Sequence, residues 1–169
     1  YKVREIEFLD DIFTLNKERA KRICNLIVEE KLDISWSCSS RVDTIDYELA
    51  RELKKAGCHT IYIGVECGTQ KALDFINKKI TVKQAIKAVK ALKRAGLKVL
   101  TSFILGIPGE TETDIKRTIS LARHLDPDFV QFTILTPYPG TPLFDMARER
   151  GWLKSLDWRE YNVLNPVME

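Results

Sequence analysis

An α/β fold built on parallel strands is predicted for this 169-residue chain by three features of its hydrophobic pattern. Short strand-like runs alternate with longer helical periods, and a full cycle recurs about every 30 residues, the length of a strand–helix unit. Most of the strand runs are apolar at successive positions, which suits parallel strands covered on both faces, with helices as the crossovers. Lys-Lys-Ala-Gly at 54–57 and Lys-Arg-Ala-Gly at 93–96 each lead straight into a strand, an internal echo of one repeated unit. Such alternation builds a barrel or an open doubly wound sheet.

Five strands are predicted, at 5–9, 33–38, 60–66, 98–105 and 129–135, all rich in Ile, Val, Phe, Tyr and Trp. Six helices are predicted between and after them, at 17–30, 47–55, 70–76, 82–95, 112–124 and 143–150. Thr81 and Thr111 precede helical patterns as N-caps. Gly57, Gly96 and Gly151 follow helices where a left-handed residue is wanted. Residues 1–150 are expected to form the α/β domain and 151–169 a C-terminal extension.

Composition narrows the partners. A hydrophobic content of 44% fits one globular core. The net charge of +3 is spread along the chain, with no block of like charge that reads as a nucleic-acid tail, so nucleic acid is not an expected partner. Lysines at 78, 79, 83, 87, 90 and 93 interleave with Val82, Ala85, Ile86, Val89 and Leu92 at helical spacing and read as a solvated helix face. No run is long enough for a membrane span, and the first residues lack the apolar core of a signal peptide, so a cytoplasmic protein is expected. Tyr1 in place of a start Met fits a chain cut from something longer. Cys24, Cys38, Cys58 and Cys67 contain no Cys-x-x-Cys pair and are expected as reduced thiols.

Functional groups collect at one end of every strand. The first strand runs into Asp10 and Asp11, the second into Ser39, Ser40, Arg41 and Asp43, and the third into Glu66, Cys67, Gly68 and Thr69. The fourth opens into Gly106-Ile107-Pro108-Gly109-Glu110 and the fifth into Thr136-Pro137-Tyr138-Pro139-Gly140-Thr141. The C-terminal ends of parallel strands are where α/β proteins place their chemistry. Any one of these residues could simply cap the next helix. Five rims together point to a site, and the two glycine–proline turns would bring backbone donors and acceptors to a ligand such as an adenine edge.

Read in order, these rims resemble the radical S-adenosylmethionine (SAM) superfamily, closest to the branch carrying a cobalamin-binding domain, with its tetrapyrrole cyclases and methyltransferases. The resemblance rests on Phe-Leu-Asp-Asp-x-Phe at 8–13, Ser-Arg-Val-Asp at 40–43 and Ala-Gly-Cys-x-x-Ile-x-Ile-Gly-Val-Glu at 56–66. It continues through Phe-Ile-Leu-Gly-Ile-Pro-Gly-Glu-Thr at 103–111 and Thr-Pro-Tyr-Pro-Gly-Thr-Pro-Leu at 136–143. The family is built on six strand–helix units, so the resemblance implies a partial (β/α) TIM-like barrel made of strands two to six. It also implies roles. Asp10 and Asp11 would face the methionyl ammonium of SAM, Arg41 its carboxylate, and Glu66 the ribose hydroxyls. Ser39 belongs to the same rim. Ser102, Ile104 and Gly106 match the Gly-x-Ile-x-Gly pattern of the fifth family strand, with Ser replacing the first Gly; Ile104 would pack on adenine. Thr136 and Tyr138 lie in the turn whose backbone meets the adenine edge. Glu110 would shape its loop. Arg41 has a second reading, a rim salt bridge with Asp43 or Glu66.

The family's [4Fe–4S] cluster is held by Cys-x-x-x-Cys-x-x-Cys after the first family strand, and this sequence contains no such run. Cys24, Cys38 and Cys58 read as small buried residues. Cys67 stands at the rim where relatives have Ser. His59 starts a strand at the end away from the rims, and His124 closes a helix, so neither reads as catalytic. The resemblance implies an enzyme that, when intact, cleaves SAM reductively to a 5′-deoxyadenosyl radical for hydrogen abstraction, methyl transfer or oxidative cyclisation. Its substrate is a small molecule not specified by the sequence, the cluster ligands lie outside this chain, and cobalamin would enter through a separate domain. Without the first family strand, the sheet edge would be open to another chain. Two rival readings share the same rims: a tRNA-modifying methylthiotransferase, against which the weak positive charge argues, and a degenerate barrel that binds a nucleoside or a protein partner.

Overall fold

A computed structural model describes residues 2–169. Five strands, β1 (Glu5–Phe8), β2 (Ser35–Arg41), β3 (Cys58–Glu66), β4 (Lys98–Leu105) and β5 (Phe129–Ile134), form one sheet in sequence order. Every neighbouring pair is parallel. The connections carry α1 (Lys17–Glu29), α2 (Tyr47–Lys55), α3 (Gln70–Phe75), α4 (Val82–Arg94) and α5 (Glu112–Leu125), and α6 (Pro142–Glu149) follows β5. Parallel neighbours in unbroken order are one wall of a (β/α) barrel, and a doubly wound sheet, whose strand order reverses at a switch point, is excluded.

Local chemistry sets the element ends. Thr81 and Thr111 cap α4 and α5 and close reciprocal capping boxes with Gln84 and Asp114. Asn16, Asp46, Thr69 and Thr141 cap α1, α2, α3 and α6 by accepting from a backbone amide of the first turn, without a reciprocal partner. Gly57 and Gly96 take φ of +90° and +79° after α2 and α4, as their positions require.

The core lies between the sheet and its helices. Trp36, Ile61, Ile63, Val65, Val99 and Phe103 point from the strands into the helical layer, where they meet Leu49, Leu53, Val89 and Leu92, all almost fully buried. Each such side chain contributes about 1.5–3 kcal/mol by leaving water. Phe8, Phe13 and Trp36 form an aromatic knot with centroids 4.8–5.3 Å apart, and the Trp36 indole donates to the Ala56 carbonyl at 2.6 Å. Residues 152–169 fold back on themselves through a bridge between Leu153 and Met168, and Ile134 N donates to Val163 O at 2.7 Å. Among the described residues no helix is long and apolar enough to cross a membrane.

Three expectations need correction. The strands are not covered on both faces: Tyr62, Gly64, Leu100, Ser102 and Ile104 stay half-exposed on the concave side, because five strands form a wall that does not close on itself. β2 runs on to Arg41, past the 33–38 expected, so Cys38 is mid-strand and Ser39, Ser40 and Arg41 belong to the strand. The ladder continues because Ser39, Ser40 and Arg41 pair with Tyr62, Ile63 and Gly64; Ser39 and Arg41 face the open side, and the buried Ser40 hydroxyl is satisfied by that of Thr14. β3 starts at Cys58 rather than at 60, with a register shift between Trp36 and Ser37 that absorbs the extra residue. β2 also starts two residues later than expected, at Ser35; the remaining bounds agree or differ by one residue, as at β1, which ends at Phe8.

A candidate cofactor cleft on the concave face

Parallel register stacks polar side chains into rows across the open face. Arg41, Gly64, Ser102 and Gln131 are successive partners on β2 to β5, and Ser39, Tyr62 and Leu100 form the row beneath. These rows line a cleft of about 500 Å³, joined by Glu7 from β1, Asp11 from the loop after it, Glu66 from the end of β3 and Lys78 from the loop before α4. Of the ten sequence-predicted positions, Asp11, Ser39, Arg41, Glu66 and Ser102 therefore meet in one place.

The other five do not line that cleft. Asp10 turns away from the cleft and pairs with Arg19 at 2.9 Å. Ile104 is one step above Ser102 on the same strand face and leans on the core. Gly106 lines a separate cavity of about 400 Å³ formed by the 106–110 loop with Trp152, Pro166 and Met168. Thr136 is held by the C-terminal segment, donating to Ile134 O and Asn162 O at 3.2 and 3.3 Å. Tyr138 is half-exposed, with its ring 6.5 Å from that of Tyr161.

Electrostatics at the rim are organised around two ion pairs. Arg41 forks onto Asp43, with Nε and Nη2 donating to its two carboxylate oxygens at 3.0 and 3.1 Å. That guanidinium holds the Asp43 carboxyl below the usual range and is itself held protonated further up. Arg41 Nη2 also donates to Lys78 O at 2.9 Å, so the arginine braces the lysine's loop. Lys78 Nζ in turn donates to Glu66 Oε1 at 2.5 Å, a pair with only 21% and 12% of its side chains exposed. Glu66 holds φ of +71°, a left-handed conformation that side chains rarely adopt. Gly64 leaves room for this pair, because a Cβ there would meet the Glu66 carboxylate and the Lys78 ammonium.

The loop carrying Asp11 is pinned to β2. Phe13 N donates to Ser39 O at 2.9 Å, and the Thr14 hydroxyl bonds those of Ser40 and Thr44 beneath the 41–44 turn. Glu110 shapes its own loop as expected, its Oε2 accepting from Ile107 N at 2.8 Å. Cys67 is fully buried rather than presented at the rim, and burial, with Glu110 and Glu66 nearby, pushes its thiol up to about 12. Cys24, Cys38 and Cys58 are buried too. Among the described residues no set of three or more His, Cys, Asp or Glu side chains could hold a metal ion. His59 sits at the opposite end of the sheet, between Glu5 and Thr60.

Sequence reasoning missed Glu7, Gly64, Tyr62, Lys78 and Gln131. Lys78 was absorbed into the lysine-rich helix face, although its position three residues before the Thr81 cap sets it outside the helix. Strand alternation from Ser102 and Glu66 would have found Tyr62 and Gly64; Gln131 emerges only from cross-strand register.

A partial parallel barrel whose polar rows open at one mouth matches what is known of relatives. The chain belongs to the radical SAM superfamily, whose family model matches residues 1–122. It is 50% identical over all its 169 residues to an uncharacterized methyltransferase of Pyrococcus horikoshii, of which it covers 37%. It is 28% identical over 162 residues, 95% of its length, to the anaerobic magnesium-protoporphyrin IX monomethyl ester cyclase of Rubrivivax gelatinosus, covering 29% of that enzyme. Among solved structures, the radical SAM methyltransferase TsrM of Kitasatospora setae, determined with cobalamin and a [4Fe–4S] cluster, superposes with a TM-score of 0.78 at 20% identity. That match covers 89% of this chain and 30% of TsrM, and it shows the fold. The chain thus spans about a third of the length of the relatives it matches.

Proposed function

We propose that this chain is the SAM-holding wall of a cytoplasmic radical SAM enzyme that carries out methyl transfer or an oxidative cyclisation on a small molecule. The observation that supports it most is the convergence of Asp11, Arg41, Glu66, Ser102 and Lys78 on one cleft. A zwitterionic amino-acid moiety needs both signs of charge within reach, and this rim supplies two carboxylates and two cations. Asp11 faces the methionyl ammonium. Arg41 and Lys78 face the carboxylate, and Lys78 exchanges Glu66 for it when the ligand enters. Glu66, released, accepts from the ribose hydroxyls, and its left-handed backbone is the strain that holds it toward the cleft.

The cofactors of the family divide by their fit to these residues. SAM fits the rim. The [4Fe–4S] cluster does not fit the four buried thiols of this chain, of which Cys38 and Cys58 pair within the core and none lines the cleft, so its ligands belong to other parts of the enzyme, as would any cobalamin site. The work assigned to this chain is to bind, orient and shield SAM.

Calorimetric titration with S-adenosylhomocysteine, which carries the same amino-acid and ribose groups, tests this reading. Stoichiometric binding that weakens at least tenfold in Lys78→Gln is expected. No heat with the wild-type chain, or unchanged affinity in the variant, overturns it.

A further inference from the structure

Below the charged rim the cleft continues into the concave face. Tyr62 precedes Glu66 by four residues, about 13 Å of extended strand, and shares its row with Ser39 and Leu100, while Glu7, the partner of Ser37, lines the cleft one row deeper. Ser102 and Gln131 form the step above. Every one of these side chains except Leu100 offers a hydrogen-bonding group. Glu7 is the only charged residue among them, it makes no salt bridge or side-chain hydrogen bond among the described residues, and it is exposed and lines the cleft. The neighbouring carboxylate on its strand, Glu5, is already engaged, accepting from Ser35 and facing His59 Nε2. The rim cations are engaged as well, Arg41 by Asp43 and Lys78 by Glu66.

We infer that the deep half of the cleft is the substrate subsite and that it takes a polar molecule bearing an ammonium or guanidinium group, with Glu7 as its counter-charge. Ser39, Tyr62 and Gln131 meet the substrate's hydroxyl or amide groups. An unpaired carboxylate on a hydrogen-bonding wall attracts a cation and repels an anion, and a flat apolar ring system would leave these polar groups unsatisfied. The inference rests on the proposal that the rim above is occupied by SAM, which leaves this lower wall to the second reactant. It separates the chain from relatives whose names indicate tetrapyrrole substrates.

The test uses cadaverine, a linear diamine, with 1,5-pentanediol as the uncharged molecule of the same length, each titrated into the isotopically labelled chain and followed by NMR. Cadaverine is expected to shift the signals of Ser39, Tyr62, Leu100 and Gln131 saturably, and pentanediol to bind at least tenfold more weakly. Glu7→Gln is expected to remove at least tenfold of the cadaverine affinity while its spectrum stays dispersed, and Glu7→Asp to restore part of it. Because the chain carries a net positive charge, diffuse attraction of a dication does not imitate this result. Equal affinity for diamine and diol, unchanged cadaverine binding in Glu7→Gln, or shifts confined to other surfaces overturns the inference. A parallel titration of the wild-type chain with S-adenosylhomocysteine keeps the two readings apart. Binding there without diamine selectivity sinks the substrate inference alone, and diamine selectivity without nucleoside binding sinks the rim assignment.

Discussion

Glu66 depends on two neighbours of opposite character: Lys78, which neutralises it, and Gly64, which leaves it room. Gly64→Ala is therefore expected to push the carboxylate aside and weaken S-adenosylhomocysteine binding more than tenfold by calorimetry, while circular dichroism reports a folded chain. Lys78→Met leaves a largely buried carboxylate without its partner and is expected to cost about 1–3 kcal/mol of unfolding free energy in urea. The thiols make a contrasting case. Burial pushes Cys24 and Cys67 up to about 12, and a hydrogen bond with Cys38, then burial, holds Cys58 above an ordinary thiol, so no iodoacetamide adduct is expected at these positions by mass spectrometry of the native chain at pH 8, with rapid labelling after unfolding. The cleft residues were legible where they carried a motif: Asp11, Ser39, Arg41 and Glu66 stood out as rim residues in the sequence, and Ser102 through its match to the family pattern. Glu7 and Gln131 did not, because a lone polar residue on a strand acquires meaning only from the strands beside it.

The strands and helices themselves were nearly all legible, since each is bounded by a cap or a glycine that acts within a few residues. What local chemistry could not report was how far β2 and β3 extend, a property set by pairing between them. The close seat of the β3–α3 turn on α5 was equally hidden. Gly68 N donates to the Thr118 hydroxyl at 2.9 Å, and a Cβ on Gly68 would lie 2.5 Å from the Thr118 Cα. Gly68→Ala is accordingly expected to destabilise by about 1–3 kcal/mol through overpacking. Thr81→Ala, which removes one capping box, is expected to cost about 1 kcal/mol. Asp46 caps α2 and its carboxyl is held below the usual range, first by the Leu49 amide and then by Lys17; Arg41 does the same for Asp43. A depressed carboxylate adds stability that is complete above its unfolded value of about 4 and is lost as pH falls below it. The melting temperature is expected to be insensitive to these groups from pH 5 to 8 and to drop below pH 4, less steeply in Asp46→Asn.

At the scale of the molecule, an open wall of five parallel strands leaves one face to its helices and the other to ligands. The family resemblance anticipated the partial barrel, yet the apolar strand runs suggested a sheet buried on both sides, since composition does not reveal that a barrel stays open. The same openness places the half-buried rows Ser39–Tyr62–Leu100 and Arg41–Gly64–Ser102–Gln131 within reach of solvent and of each other. Binding at the mouth is the property on which the enzymatic reading depends. Mapping S-adenosylhomocysteine onto the chain by NMR tests it most directly. Saturable shifts at Asp11, Arg41, Glu66, Lys78 and Ser102 are expected; shifts gathered instead around Gly106, Trp152 and Met168, or none at all, would contradict it.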